Sequence, residues 1–147
     1  MNWFECKIKY DKTGEDGLIK QVTEAYLVDA LSFTEAETRI NAEMEPFISG
    51  EWVVANIKRV KIAELFDSQL PSADKWYRSK VNFVALDEDK GIEKKVPNTM
   101  YIKATEIKEA LANLQEGMKG TMADFEIASI VETAIMDVFQ QELTIQE

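Results

Sequence analysis

The sequence predicts an α+β fold made of two copies of a ββαβ unit, giving an antiparallel-rich sheet or sheets of about six strands and two helices about a pseudo-twofold axis. Three observations predict it. Residues 3–10 alternate apolar and polar side chains with period two. A capping sequence at 32–37 opens an apolar stripe of helical period. The order of elements up to residue 66 then recurs from residue 76 at offsets of 73 to 75.

The first strand is Trp3 to Tyr10. Phe4, Cys6, Ile8 and Tyr10 point one way, and Trp3, Glu5, Lys7 and Lys9 the other. Asp11 to Gly17 form a turn in which Gly14 and Gly17 can take positive φ without a steric penalty. Residues 18–28 read as the second strand of a hairpin. Ser32…Glu35 and Thr34…Glu37 both have capping-box spacing, and the acids suit the positive end of the helix dipole. Phe33, Ala36, Ile40 and Met44 line one face of that helix, and Pro46 ends it. Glu51 to Phe66 reads as one long or bent strand, and residues 67–75 as a linker.

In the second half Trp76 to Phe83 repeats 3–10 at offset 73, with Trp on Trp and Lys on Lys. Asp87 to Gly91 is the turn, and Gly91, Lys94 and Val96 repeat Gly17, Lys20 and Val22 at offset 74. Ile107, Ala110, Leu114 and Met118 repeat the helix stripe, and Gly117 and Gly120 close it. Residues 127–138 also suit a helical period. Their counterparts 54–65 would put Lys58 and Lys61 on the buried stripe, so both segments read as strands. The expected organisation is one domain, 1–147: a repeat at 1–66, the linker 67–75 and a repeat at 76–147.

Three segments carry a family resemblance: Asn2 to Lys7, Tyr26-Leu27-Val28-Asp29-Ala30-Leu31-Ser32-Phe33-Thr34-Glu35-Ala36-Glu37, and Gly117-Met118-Lys119-Gly120-Thr121-Met122-Ala123-Asp124-Phe125-Glu126-Ile127. They resemble a family of short proteins from Bacteroidetes and their phages and mobile elements, grouped as a domain of unknown function. The resemblance implies a bacterial or phage setting and supplies no activity, cofactor or site residue.

Composition narrows the chemistry. A chain of 147 residues buries enough surface to fold without disulfides or a metal. The single cysteine, Cys6, forbids an internal disulfide and reads as a small core residue. No stretch reaches the length of a membrane span, and Met1 to Glu5 lack the basic start and apolar run of a signal peptide, so the expected location is the cytoplasm. There is no histidine, which removes the usual Ser–His and Cys–His nucleophiles and the commonest metal ligand. No glycine-rich phosphate loop occurs. Carboxylates cluster in the turns, Glu15 and Asp16 in one, Asp87, Glu88 and Asp89 in the other. They lack calcium-loop spacing and read as solvated turns, so a carboxylate-dependent enzyme is the weakest reading. No metal and no cofactor is expected.

The basic residues are the informative ones. Most of the 17 fall in predicted strands, although the net charge is −10 and opposes non-specific nucleic-acid binding. Trp3, Lys7 and Lys9 share the outward face of the first strand, and Trp76, Arg78 and Lys80 that of its counterpart. Such a face suits a protein partner or self-association, with Trp and Arg as anchors. Alternatively it suits a small anionic ligand such as a nucleotide, which could be sequestered there. The bland reading is that lysines merely solvate an open sheet. The expected function is therefore non-enzymatic binding or assembly through these six residues.

Overall fold

The computed structural model describes residues 1–141; residues 142–147, the end of the second expected repeat, lie outside the described residues. The chain runs β1 (Asn2–Thr13), β2 (Ile19–Ala30), α1 (Phe33–Met44), β3 (Trp52–Val60), β4 (Glu64–Phe66), β5 (Lys75–Asp87), β6 (Ile92–Ala104), α2 (Ile107–Gly117), β7 (Phe125–Glu132) and β8 (Ile135–Phe139). These elements make two compact units, one of Met1–Lys61 with the chain from Ala134 to the end of the described residues, the other of Ile62–Thr133.

The first unit is a four-stranded sheet of order β3-β1-β2-β8 carrying α1. β1 is antiparallel to β2 and β3, and β8 runs parallel to β2. The period-two pattern of β1 sends Phe4, Cys6 and Ile8 inward, where all three are fully buried against Val28, Ala30 and the helix residues Ala36, Ile40 and Met44. Ser32 caps α1 as its sequence spacing predicts, its Oγ accepting from Glu35 N at 3.1 Å. Gly17 takes φ +78° in the hairpin turn; Gly14 does not need a positive φ.

The second unit is a sheet of order β4-β6-β5-β7 carrying α2. Here β5 is antiparallel to β6 and β7, and β4 runs parallel to β6. Tyr77 and Val81 from β5, Met100, Ile102 and Ala104 from β6, and Ala110, Leu114 and Met118 form the core. Ser79, at the position equivalent to Cys6, is fully buried and satisfies its hydroxyl by donating to Ser129 O at 2.8 Å. Glu106 caps α2, accepting from Glu109 N and Lys108 N.

Two expectations need correcting. Among the described residues there are eight strands in two sheets of four, not six main strands. The segments 51–66 and 127–138, each expected as one strand, are each two strands that join different sheets. After β3 the chain leaves its sheet at Lys61 and Ile62, and Ala63 N donates to Thr99 O at 2.8 Å to start a pairing with β6. After β7 it leaves at Thr133 and pairs β8 with β2. Alternation reports which way side chains point, and it does not report which sheet accepts the strand.

Gly117 is held glycine by packing. A methyl there would fall 2.6 Å from Phe66 Cδ1 and closer still to Cε1. Gly117→Ala should therefore displace the β4 ring and lower stability by about 1–3 kcal/mol, although alanine favours a helix elsewhere. Urea denaturation of the full chain measures this; a stabilised variant would show that the ring yields freely.

Candidate functional site

On β5 the core takes Tyr77, Ser79 and Val81, so Arg78 and Lys80 leave the sheet on the face away from α2, where both are exposed. Register then fixes their neighbours. Lys80 lies between Thr99 of β6 and Ser129 of β7, and Arg78 between Tyr101 and Val131. Arg78, Lys80, Thr99, Ser129 and Val131, together with Ser79 and Pro97, line a depression of about 350 Å³. Two hydroxyls and two cations thus converge on one patch of sheet.

The charges of Arg78 and Lys80 are not neutralised locally. Among the described residues neither side chain makes a hydrogen bond or an ion pair, while six other cations do. Glu126 of β7, which stands opposite Asn82 of β5, is engaged elsewhere. Lys95 Nζ lies 2.8 Å from it and Asn82 Nδ2 donates to it at 3.2 Å. These two contacts, Lys95 first, hold the Glu126 carboxyl below its ordinary range.

The third predicted residue of this set is corrected. Trp76 is only 2% exposed, so it is no part of an open binding face. Lys103 lies over its ring at 5.9 Å, and its Nε1 has no hydrogen-bond partner among the described residues. Alternation puts Trp76 on the same side of β5 as Arg78 and Lys80; it could not show that the ring is buried.

In the first unit Trp3 is half-buried, and Lys7 and Lys9 are exposed on the outer face of β1. Their surroundings differ from those of Arg78 and Lys80. Glu5 occupies the position equivalent to Arg78 and stands opposite Lys58 of β3, so opposite charges face each other there.

The remaining candidates resolve into structural roles. Asp16 Oδ1 accepts from Leu18 N, and Asp87 Oδ1 accepts from Asp89 N and Lys90 N, so these acids brace their turns. Among the described residues no three metal-ligating side chains gather. Burial, with Glu5 second, pushes the Cys6 thiol up to about 12, which keeps it protonated and inert at neutral pH.

Sequence reasoning missed Thr99, Ser129, Pro97 and Val131. Their place beside Arg78 and Lys80 depends on strand register across two pairings, which composition does not carry. Ser129, a hydroxyl set between the apolar Ala128 and Ile130, was the local signal. It also missed a second concavity of about 580 Å³, lined by Leu111 and Gln115 of α2 and by Phe125, Ile127, Ser129 and Ile130 of β7.

Among the described residues no helix is long and apolar enough to cross a membrane. A family model described as Domain of unknown function (DUF4494) matches residues 2–141. No curated protein matches the chain.

Proposed function

We propose that this chain, which belongs to the DUF4494 family, is a non-enzymatic binding protein whose ligand is a small anion held on the outer face of β5. One observation carries the reading: Arg78 and Lys80 stand exposed and uncompensated over a depression lined by Thr99 and Ser129. A phosphate fits this chemistry, since guanidinium and ammonium supply charge-assisted hydrogen bonds and the hydroxyls complete the shell. A nucleotide is the larger ligand of this class.

The test is calorimetric titration of the full chain with ATP and with inorganic phosphate. Arg78→Glu and Lys80→Glu should each weaken binding by about tenfold to a hundredfold, the loss of a charge-assisted hydrogen bond. Both positions are exposed, so the fold should survive. Unchanged affinity in the double variant would eliminate the site.

The same proposal treats the units as duplicated ββαβ copies within one domain. Support comes from geometry that recurs at the sequence offset. The bulge between β1 and β3 falls at Lys7/Ile8 and that between β5 and β7 at Lys80/Val81. Gly17 and Gly91, 74 residues apart, both take positive φ in the hairpin turns. A cytoplasmic, bacterial or phage setting belongs to this reading, in keeping with the unpaired, buried Cys6.

A second reading is assembly through the first unit. Lys9 stands beside Val53 on β3, an edge strand on which Val53 is 62% exposed, and Trp3 offers an aromatic anchor further along β1. A Trp3→Ala chain of unchanged mass in solution would count against it.

A further inference from the structure

We infer that the anion bound at Arg78 and Lys80 carries an apolar tail, which crosses β7 at Ser129 and lies in the groove between α2 and β7. This rests on the anion-binding reading above and adds the chemical class of its ligand: a monomeric anionic amphiphile.

Three observations carry it. The first is proximity across one strand. Ser129 of the edge strand β7 lines both the cationic depression on the outer face and the groove on the α2 side, so only that strand separates the two concavities. The groove is apolar where the depression is charged: Phe125, Ile127 and Ile130 are half-buried in β7, and Leu111 is 37% exposed on α2. A ligand charged at one end and apolar at the other matches both.

The second is the shape of the edge. β7 is an edge strand, and its register shifts against β5 between Lys80 and Val81, leaving Ala128 without a partner. A bulge bends a strand and interrupts its pairing row. An added peptide strand therefore meets a broken edge, while a flexible tail meets a local saddle. The net charge of −10 likewise opposes an anionic membrane surface and leaves a free amphiphile as the occupant.

The third is the contrast with the first unit at equivalent positions. Glu37 stands where the second unit has Leu111, and Asn41 where it has Gln115. Asn41 Oδ1 accepts from Trp52 Nε1 at 2.9 Å and so ties the helix to its edge strand. Glu5 stands in place of Arg78. The first unit thus has a bridged helix–strand seam and an acid where the second has Arg78, and the second has an open seam beside two exposed cations.

The experiment is titration of the full chain with inorganic phosphate and then butyl, hexyl and octyl phosphate, all kept monomeric. Affinity should climb by about fourfold for each methylene that enters the groove. Leu111→Glu should flatten the series and leave inorganic phosphate binding unchanged; Leu111→Gln, which adds no charge, should flatten it as well. A flat series in the parent chain, with phosphate still bound, would overturn the tail while sparing the anion site. Loss of binding to every member, phosphate included, would overturn both. A preference for phosphatidylglycerol vesicles over octyl phosphate, or for an acidic extended peptide, would overturn the assignment to a free amphiphile.

Discussion

Arg39→Ala is expected to destabilise the protein by about 3–5 kcal/mol, the cost of stranding a buried charge. Arg39 projects from α1 with its side chain 16% exposed, and it meets Asp29 of β2, whose side chain is 9% exposed. One guanidinium nitrogen donates to both the carboxylate and the backbone carbonyl of Asp29. The other donates to Phe139 O at 3.4 Å, at the end of β8. Asp29 also accepts from Gln141 N at 2.8 Å. A single fork therefore fastens the helix, the inner strand β2 and the edge strand β8. Alanine would leave Asp29 buried with Gln141 N as its remaining partner among these contacts.

Lysine at 39 should recover only part of the loss, because an ammonium cannot reproduce a planar fork. Asp29→Ala with Arg39→Ala should cost less than the two single changes added together, by about 1–3 kcal/mol, since residues in one network couple. Urea denaturation of the four chains forms the cycle. Strict additivity would show that Asp29 and Arg39 are held independently. The single-variant effect should also persist at high salt, because a buried pair is poorly screened.

The sequence made the local chemistry of the fold legible and left its long-range closure hidden. Phe4, Cys6 and Ile8 announced the buried face of β1, Ser32 the start of α1, and Gly17 and Gly91 the hairpin turns. Each of these is set by residues within a few positions of one another. The exits at Lys61 and Thr133 were hidden, because the partners of β4 and β8 lie far along the chain. The site divides in the same way. The outward direction of Arg78 and Lys80 follows from alternation alone. Whether that face is open depends on tertiary burial, which removed Trp76 from the set. The Arg39 fork was missed for the same reason: nothing local distinguishes Arg39 from a solvated helix cation.

Phe4→Ala should produce a loss of similar size, about 3–5 kcal/mol, through a cavity rather than a charge. Phe4 has no exposed surface and sits in the middle of the core of its unit. Its ring meets Phe33 edge-on at a centroid distance of 4.9 Å, and Arg59 lies 5.6 Å from the centre of both rings. Truncation removes the buried ring, the edge-on contact and half of the aromatic surface beneath Arg59, and rigid strands on either side limit how far the cavity can close. Phe4→Leu keeps most of the volume and should cost far less, on the order of 1.5 kcal/mol. Arg59→Ala should cost about 1 kcal/mol or less, because a cation near the surface gains little from a ring. This ordering separates packing from electrostatics. If Arg59→Ala proved as costly as Phe4→Ala, the cation would be holding the aromatic pair in place. If Phe4→Leu matched Phe4→Ala, the edge-on geometry would matter more than the volume. Denaturant midpoints of the three variants, at constant slope, decide between these outcomes.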